Sequence, residues 1–193
     1  MKVTRLAMIL LSGLAIGCNS TSSEISKGTK VEPSVQQPAE SSINVFGNPG
    51  IPLKLNSLTA ASRESIQIDF SKYDRIILYF WASWDQSSTE HLRDFDQATK
   101  ESKGKTNVIA VNVFENTTPG ASETQMFESS ANAASNAAKD YSLSIPMACY
   151  GDRLAKEWSI GGVPTFVVVD REAKLVGAQS TVNRDIIRKA VLQ

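Results

Sequence analysis

Three observations predict an α/β fold, a central mixed β-sheet flanked by helices on both faces. Two continuous apolar, β-rich runs occupy 75–82 and 107–114, a helical pattern lies between them, and a third apolar run at 165–169 follows Gly161-Gly162-Val163-Pro164. A strand buried on both faces reads as a continuous apolar run rather than an alternating one. Strand, helix and strand within forty residues form the βαβ unit of a parallel pair.

The remaining elements follow in chain order. Leu53 and Leu55 alternate with polar neighbours, as do Ile66 and Ile68, and the turn-like stretch Asn56 to Ser65 between them predicts a short hairpin. Gln86 to about Lys103 reads as a helix with Leu92, Phe95 and Ala98 or Thr99 on one face, and Ser87 with Glu90 offers a capping box at its start. Met126, Ala133, Ala134, Ala137, Ala138 and Tyr141 recur at helical spacing, an Ala-rich face that implies close packing on the sheet. A short strand is expected at 145–150, a short helix at 153–158, and a strand at 174–179 pairing with 165–169 through a turn at 170–173. Asn183 is placed to cap a last helix with Ile186, Ile187, Ala190 and Val191 on its apolar face.

The N-terminus has a different character. Residues 1–17 begin with Lys2 and Arg5, run apolar from Leu6 to Ile16, and close on small residues, the pattern of a secretory signal peptide. The apolar stretch is about half the ~20 residues needed to span a bilayer. Leu14, Ala15, Ile16, Gly17 and Cys18 resemble a bacterial lipobox, in which cleavage before the cysteine leaves a lipidated N-terminus, so lipidation is expected at Cys18. Residues 18–45, rich in Ser, Thr, Glu, Gln and Pro, read as a flexible linker, and 46–193 as the folded domain.

Composition excludes several function classes. The chain of 193 residues carries 20 Lys+Arg and 20 Asp+Glu, so there is no field for gathering nucleic acid or anionic lipid. One His and two Cys are too few for a protein-only zinc site, and neither a metal nor a cofactor is expected.

Four local sequences resemble the thioredoxin fold in its membrane-anchored TlpA/ResA-like form. Asp69 to Ile77 resembles the segment leading into that family's first central strand. Tyr79-Phe80-Trp81-Ala82-Ser83-Trp84 is similar to its N-F-W-A-T-W, and Ile145 to Asp152 resembles the strand of its helix-strand insertion. Gly162 to Asp170 is similar to the loop carrying its cis-proline, here Pro164. The resemblance covers roughly residues 46 to 193 and implies a thioredoxin-like fold with a TlpA-like insertion.

It also implies where the chemistry should be, and there the sequence departs. Asp85-Gln86-Ser87-Ser88 stands where the family has C-x-x-C, so Asp85 and Ser88 mark a degenerate active site. Thiol–disulfide exchange needs an attacking thiolate and a second, resolving thiol, and carboxylate and hydroxyl supply neither. Asp85 is expected chiefly as a helix N-cap, with a contact to a bound peptide as the alternative. Tyr79 stands where many thioredoxins carry a buried carboxylate. Trp84, Val163 and Pro164 are the candidate peptide-binding groove, whereas Trp81 reads as core and His91 as an exposed helix residue.

Cys149, the one thiol of the folded part, is the only candidate nucleophile; its apolar neighbours favour an inert core residue. The expected function is an envelope lipoprotein that binds a protein or peptide partner noncovalently. The alternative is a thiol-disulfide oxidoreductase or peroxiredoxin-like activity using Cys149 or a partner's thiols, and a purely structural envelope role stands as a third reading. Asn19 after the lipidated cysteine lacks the Asp associated with inner-membrane retention, which turns the localisation toward the outer membrane.

Overall fold

A computed structural model describes residues 43–55, 57–115 and 118–193. The expected signal peptide, the expected lipidation at Cys18 and most of the expected linker lie outside the described residues. The strands are β1 (Ser57–Ala60), β2 (Ser65–Gln67), β3 (Arg75–Trp81), β4 (Thr106–Asn112), β5 (Met147–Cys149), β6 (Thr165–Asp170) and β7 (Leu175–Gln179). The helices are α1 (Gln86–Glu101), α2 (Glu123–Asp140), α3 (Asp152–Glu157) and α4 (Arg184–Leu192). One seven-stranded mixed sheet runs β2-β1-β5-β4-β3-β6-β7. Its centre, β5-β4-β3, is parallel, and β6 lies antiparallel to β3.

The continuous apolar run of β3 is explained by cover on both faces. Ile77, Tyr79 and Trp81 point toward the packing layer that holds Leu92, Phe95 and Ala98 of α1, Ala134 and Ala137 of α2, and Ile187 and Val191 of α4. Ile76, Leu78 and Phe80 point the other way, to Leu154, Ala155 and Trp158 and to the N-terminal residues Val45, Leu53 and Leu55. Alternation along a strand thus feeds two cores at once. A mixed sheet with helices on both faces is the architecture expected from the sequence.

Several details differ from that expectation. The hairpin is real but misplaced: Ser57–Ala60, inside the stretch read as a turn, pairs with Ser65–Gln67. Leu53 and Leu55 are buried on the sheet face instead. Their segment hydrogen-bonds at the opposite edge, where Leu53 N–H donates to Ala173 O and Leu175 N–H to Ile51 O. Their alternation reports packing under a crossing chain, not strand pairing. The packed chain also starts earlier than 46, since Val45 is fully buried and Ile43 N–H donates to Glu157 O.

Helix starts are corrected as well. The Ser87/Glu90 box does not form, because α1 is capped two residues earlier by Asp85, whose carboxylate accepts from Ser88 N–H at 2.9 Å. In α2 a capping box unread in the sequence is present: Ser122 accepts from Gln125 N–H, and the Gln125 side chain accepts from Ser122 N–H. The Asn183 cap of α4 is formed as expected. No helix among the described residues is long and apolar enough to cross a membrane.

Candidate functional site at the carboxyl ends of the parallel strands

Strands β3, β4 and β5 run parallel, so the loops that follow them emerge at one end of the sheet. The segment before β6 arrives at the same end, because β6 is antiparallel and Thr165 lies opposite Phe80. Ser83 to Ser88, Val113 to Glu115, Tyr150 to Asp152 and Val163–Pro164 therefore share one end of the domain. This is the end where open α/β sheets place ligands.

At its centre is the start of α1. The Asp85 carboxylate accepts from Ser88 N–H, from Ser87 Oγ at 3.0 Å and from Ser88 Oγ. Partial burial pushes the Asp85 pKa up, but the hydrogen bonds from Ser88 and Ser87 outweigh it and hold the group below its ordinary 3.8. Asp85 is thus an anion at a helix N-terminus, where the macrodipole favours one. Ser88 is fully buried. The Tyr79 hydroxyl, inside the core, donates to Ser88 O at 2.8 Å, and burial pushes its pKa well above the usual phenol range. Tyr79 therefore fixes the first turn of α1 and holds its own proton.

A second carboxylate, not singled out by the sequence, organises the neighbouring loop. Glu115 accepts from Ser83 N–H, from Ser83 Oγ at 2.6 Å and from Asn112 Nδ2 at 2.6 Å. Asn112 Oδ1 in turn accepts from Ser130 Oγ, and Ser130 Oγ accepts from Tyr150 N–H at 2.7 Å. Asn112 and Ser130 are buried, so this connected network ties α2 and the end of β5 to the loop that carries Trp84. A polar residue at the last position of a buried strand was the one available sequence signal, and Asn112 supplies it.

Trp84 is 63% exposed, the most exposed large apolar side chain of the described residues. Its indole is nevertheless oriented, because Nε1 donates to Phe114 O at 2.8 Å. Trp81 is fully buried and belongs to the core. Val163 and Pro164 are half-buried and the bond between them is cis.

Cys149 is not brought to this centre. It lies on β5, paired with Thr59 of β1, with β4 between it and β3, which at the usual strand spacing puts it about 10 Å from β3. Its residue is only 3% exposed, and burial pushes the thiol up to about 11. A shallow hollow of about 430 Å³ lined by Leu58, Tyr150 and Arg153 among others reaches it, yet a thiol so perturbed is almost wholly protonated at neutral pH. His91 is half-buried rather than exposed, with Nδ1 3.5 Å from Asp94 Oδ2 one turn along α1. Among the described residues no group of three or more His, Cys, Asp or Glu is arranged to hold a metal ion.

No family model matches the chain, and no curated protein matches it. Solved structures do. The pneumococcal exposed lipoprotein thioredoxin from Streptococcus pneumoniae aligns at 23% identity with a TM-score of 0.53, over 70% of this chain and 96% of that one. A thioredoxin-like protein from Aeropyrum pernix aligns at 19% and 0.56, over 70% and 86%. A secreted disulfide oxidoreductase from Mycobacterium tuberculosis aligns at 11% and 0.54, over 70% and 92%. Identities this low speak to architecture alone, and the architecture this chain shares with them is the thioredoxin-like fold.

Proposed function

We propose that the chain is an envelope protein, tethered through a lipidated Cys18, whose thioredoxin-like domain binds a partner polypeptide noncovalently across the surface around Trp84 and Val163–Pro164 and carries out no dithiol exchange. One observation carries this reading: at the start of α1, directly after β3, a carboxylate and a buried hydroxyl occupy the two positions that flank the first turn. Neither can form a mixed disulfide. The exposed, oriented indole of Trp84 beside them supports retention of a binding surface.

Several structural neighbours are named as thiol-disulfide oxidoreductases, which keeps enzymatic exchange as the competing reading. That reading would have to run through Cys149 or through thiols of a partner, and burial of Cys149 weighs against the first route.

The test is turnover of a disulfide substrate by the full-length protein. The expected result is no turnover, no reaction of Cys149 with a thiol probe until the protein is denatured, and gain of a reducible disulfide in the double variant Asp85→Cys, Ser88→Cys. Turnover by the wild type, whether abolished or unaffected by Cys149→Ala, overturns the binding-only reading. The tether is checked by Cys18→Ala, which should move the protein out of the membrane fraction.

A further inference from the structure

We propose that the partner segment received at the Trp84 surface is cationic, an extended stretch of polypeptide bearing Lys or Arg. This rests on the binding role proposed above and specifies its ligand.

The surface alternates aromatic and acidic side chains in a hydrogen-bonded row. Trp84 donates to Phe114 O, and Phe114 N–H donates to Asp152 at 3.0 Å. Asp152 and Glu123 both lie close enough to Tyr150 to push its hydroxyl pKa up, in addition to the effect of burial. Asp85 and Glu115 flank Trp84 through Ser88 and Ser83. Phe114 and Tyr150 are half-buried, so the row presents partly covered rings around one freely exposed indole.

Asp85, Glu115 and Asp152 take the hydrogen bonds described above from neutral donors: Ser hydroxyls, an Asn amide and backbone N–H groups. Such bonds orient a carboxylate and leave its charge in place. Five other carboxylates meet cations, Asp96 with Lys100, Asp74 with Arg171, Glu172 with Lys174, Glu101 with Arg188 and Asp94 with Arg184, whereas Asp69 and Asp170, like the three here, accept from neutral donors. The α1 N-terminus offsets only about half a charge. Arg153, exposed and next to Asp152, is the basic residue nearest in sequence.

Carboxylates alone would define no site. Here they share one end of the sheet with the most exposed large apolar side chain of the described residues, Trp84, next to Asp85 in the chain and hydrogen-bonded to Phe114. An indole face with negative charge around it suits a Lys ammonium or Arg guanidinium, by cation–π contact and by charge complementarity.

The test uses calorimetric titration of the full-length protein with three short peptides that share their apolar residues and differ only in carrying Lys, Gln or Glu. The expected result is tightest binding of the Lys peptide, weakened as salt rises from about 0.15 M to about 1 M and the Debye length shrinks from ~8 Å to ~3 Å. Trp84→Ala should abolish it, and Glu123→Gln, at an exposed side chain, should weaken it about two- to fivefold. If the Gln or Glu peptide binds as tightly and still depends on Trp84, the cationic assignment is overturned while the binding surface stands. If the Lys peptide binds regardless of Trp84, or none of the three binds, both fall.

Discussion

Asp85 and Asp96 sit on the same helix eleven residues apart and are satisfied in opposite ways. Asp96, in the middle of α1, is 6% exposed. It accepts from Ser144 N–H at 2.7 Å, Ser144 Oγ at 2.7 Å and Ile145 N–H at 3.1 Å, with Lys100 on its other oxygen. Those donors belong to the segment that leads into β5, so Asp96 fastens one element to another. Among the described residues the Asp85 carboxylate accepts from Ser87 and Ser88 of its own helix, at a loop beside an exposed Trp. One carboxylate is fixed by tertiary structure and neutralised by a cation; the other is fixed locally and keeps its charge. A group the fold uses only locally, as a helix cap, and holds ionised at the carboxyl end of the parallel strands is the kind of group available for contact with a partner.

The comparison is broken most severely at Asp96. Asp96→Ala leaves the backbone N–H groups of exposed Ser144 and buried Ile145 without their acceptor and removes a nearly buried, hydrogen-bonded charge, and chemical denaturation should show a loss of about 3 kcal/mol. The same group gives a pH dependence. Burial raises the Asp96 pKa, but hydrogen bonds from Lys100, Ser144 and Ile145 more than reverse that and hold it below the ordinary 3.8. Asp85 lies below 3.8 as well. The unfolded chain therefore takes up protons first as pH falls: the stabilisation is complete above the unfolded value and fades as pH drops through 3.8 toward the folded values. Acid titration of stability should show this loss in the wild type and a shallower one in Asp96→Ala; equal slopes would mean that Asp96 is not held ionised by the fold.

Asp85→Ala should cost less, about 1 kcal/mol, the usual cost of losing an N-cap. Asp85→Asn keeps an acceptor for Ser88 N–H and should restore most of that stability without the charge. Measured thermal unfolding of the two variants separates cap from charge. A loss at Asp85→Asn as large as at Asp85→Ala would make the anion itself part of the fold's stability, and the contrast with Asp96 would vanish.

The sheet was legible because β3, β4 and β6 are buried on both faces and so announce themselves as unbroken apolar runs. β1 was not: Ser57, Leu58, Thr59 and Ala60 are exposed or half-buried, and a strand that buries little leaves little pattern. Asp85 was legible as a cap from its place before a helical pattern, and Cys149 as a core residue from its neighbours. Glu115 was not, because its role depends on Ser83, thirty-two residues away, and on a loop conformation in which Phe114 adopts a positive φ of 58°. Asp96 was equally silent, since its partners at Ser144 and Ile145 are set by how α1 lies across the approach to β5. Periodicity records which face is buried; it does not record which polar groups meet across that face.

The mildest change sharpens the comparison at the far end of α1. Glu101 pairs with Arg188 of α4 at 2.7 Å, both side chains being about two-fifths exposed. Solvent screening and the entropy of two long side chains leave such pairs worth little. Arg188→Ala should change stability by no more than about 0.5 kcal/mol, read from the denaturation midpoint, because the α1–α4 contact is held by the buried side chains of Leu92, Phe95, Ile187 and Val191. Its effect should instead be electrostatic: Glu101 then becomes an unneutralised carboxylate, like Asp85. If the Lys-bearing peptide titrated against Arg188→Ala shows a second binding event, unneutralised charge alone suffices for binding; if it shows only the first, the exposed indole at Trp84 is the ingredient that turns a negative patch into a receptor.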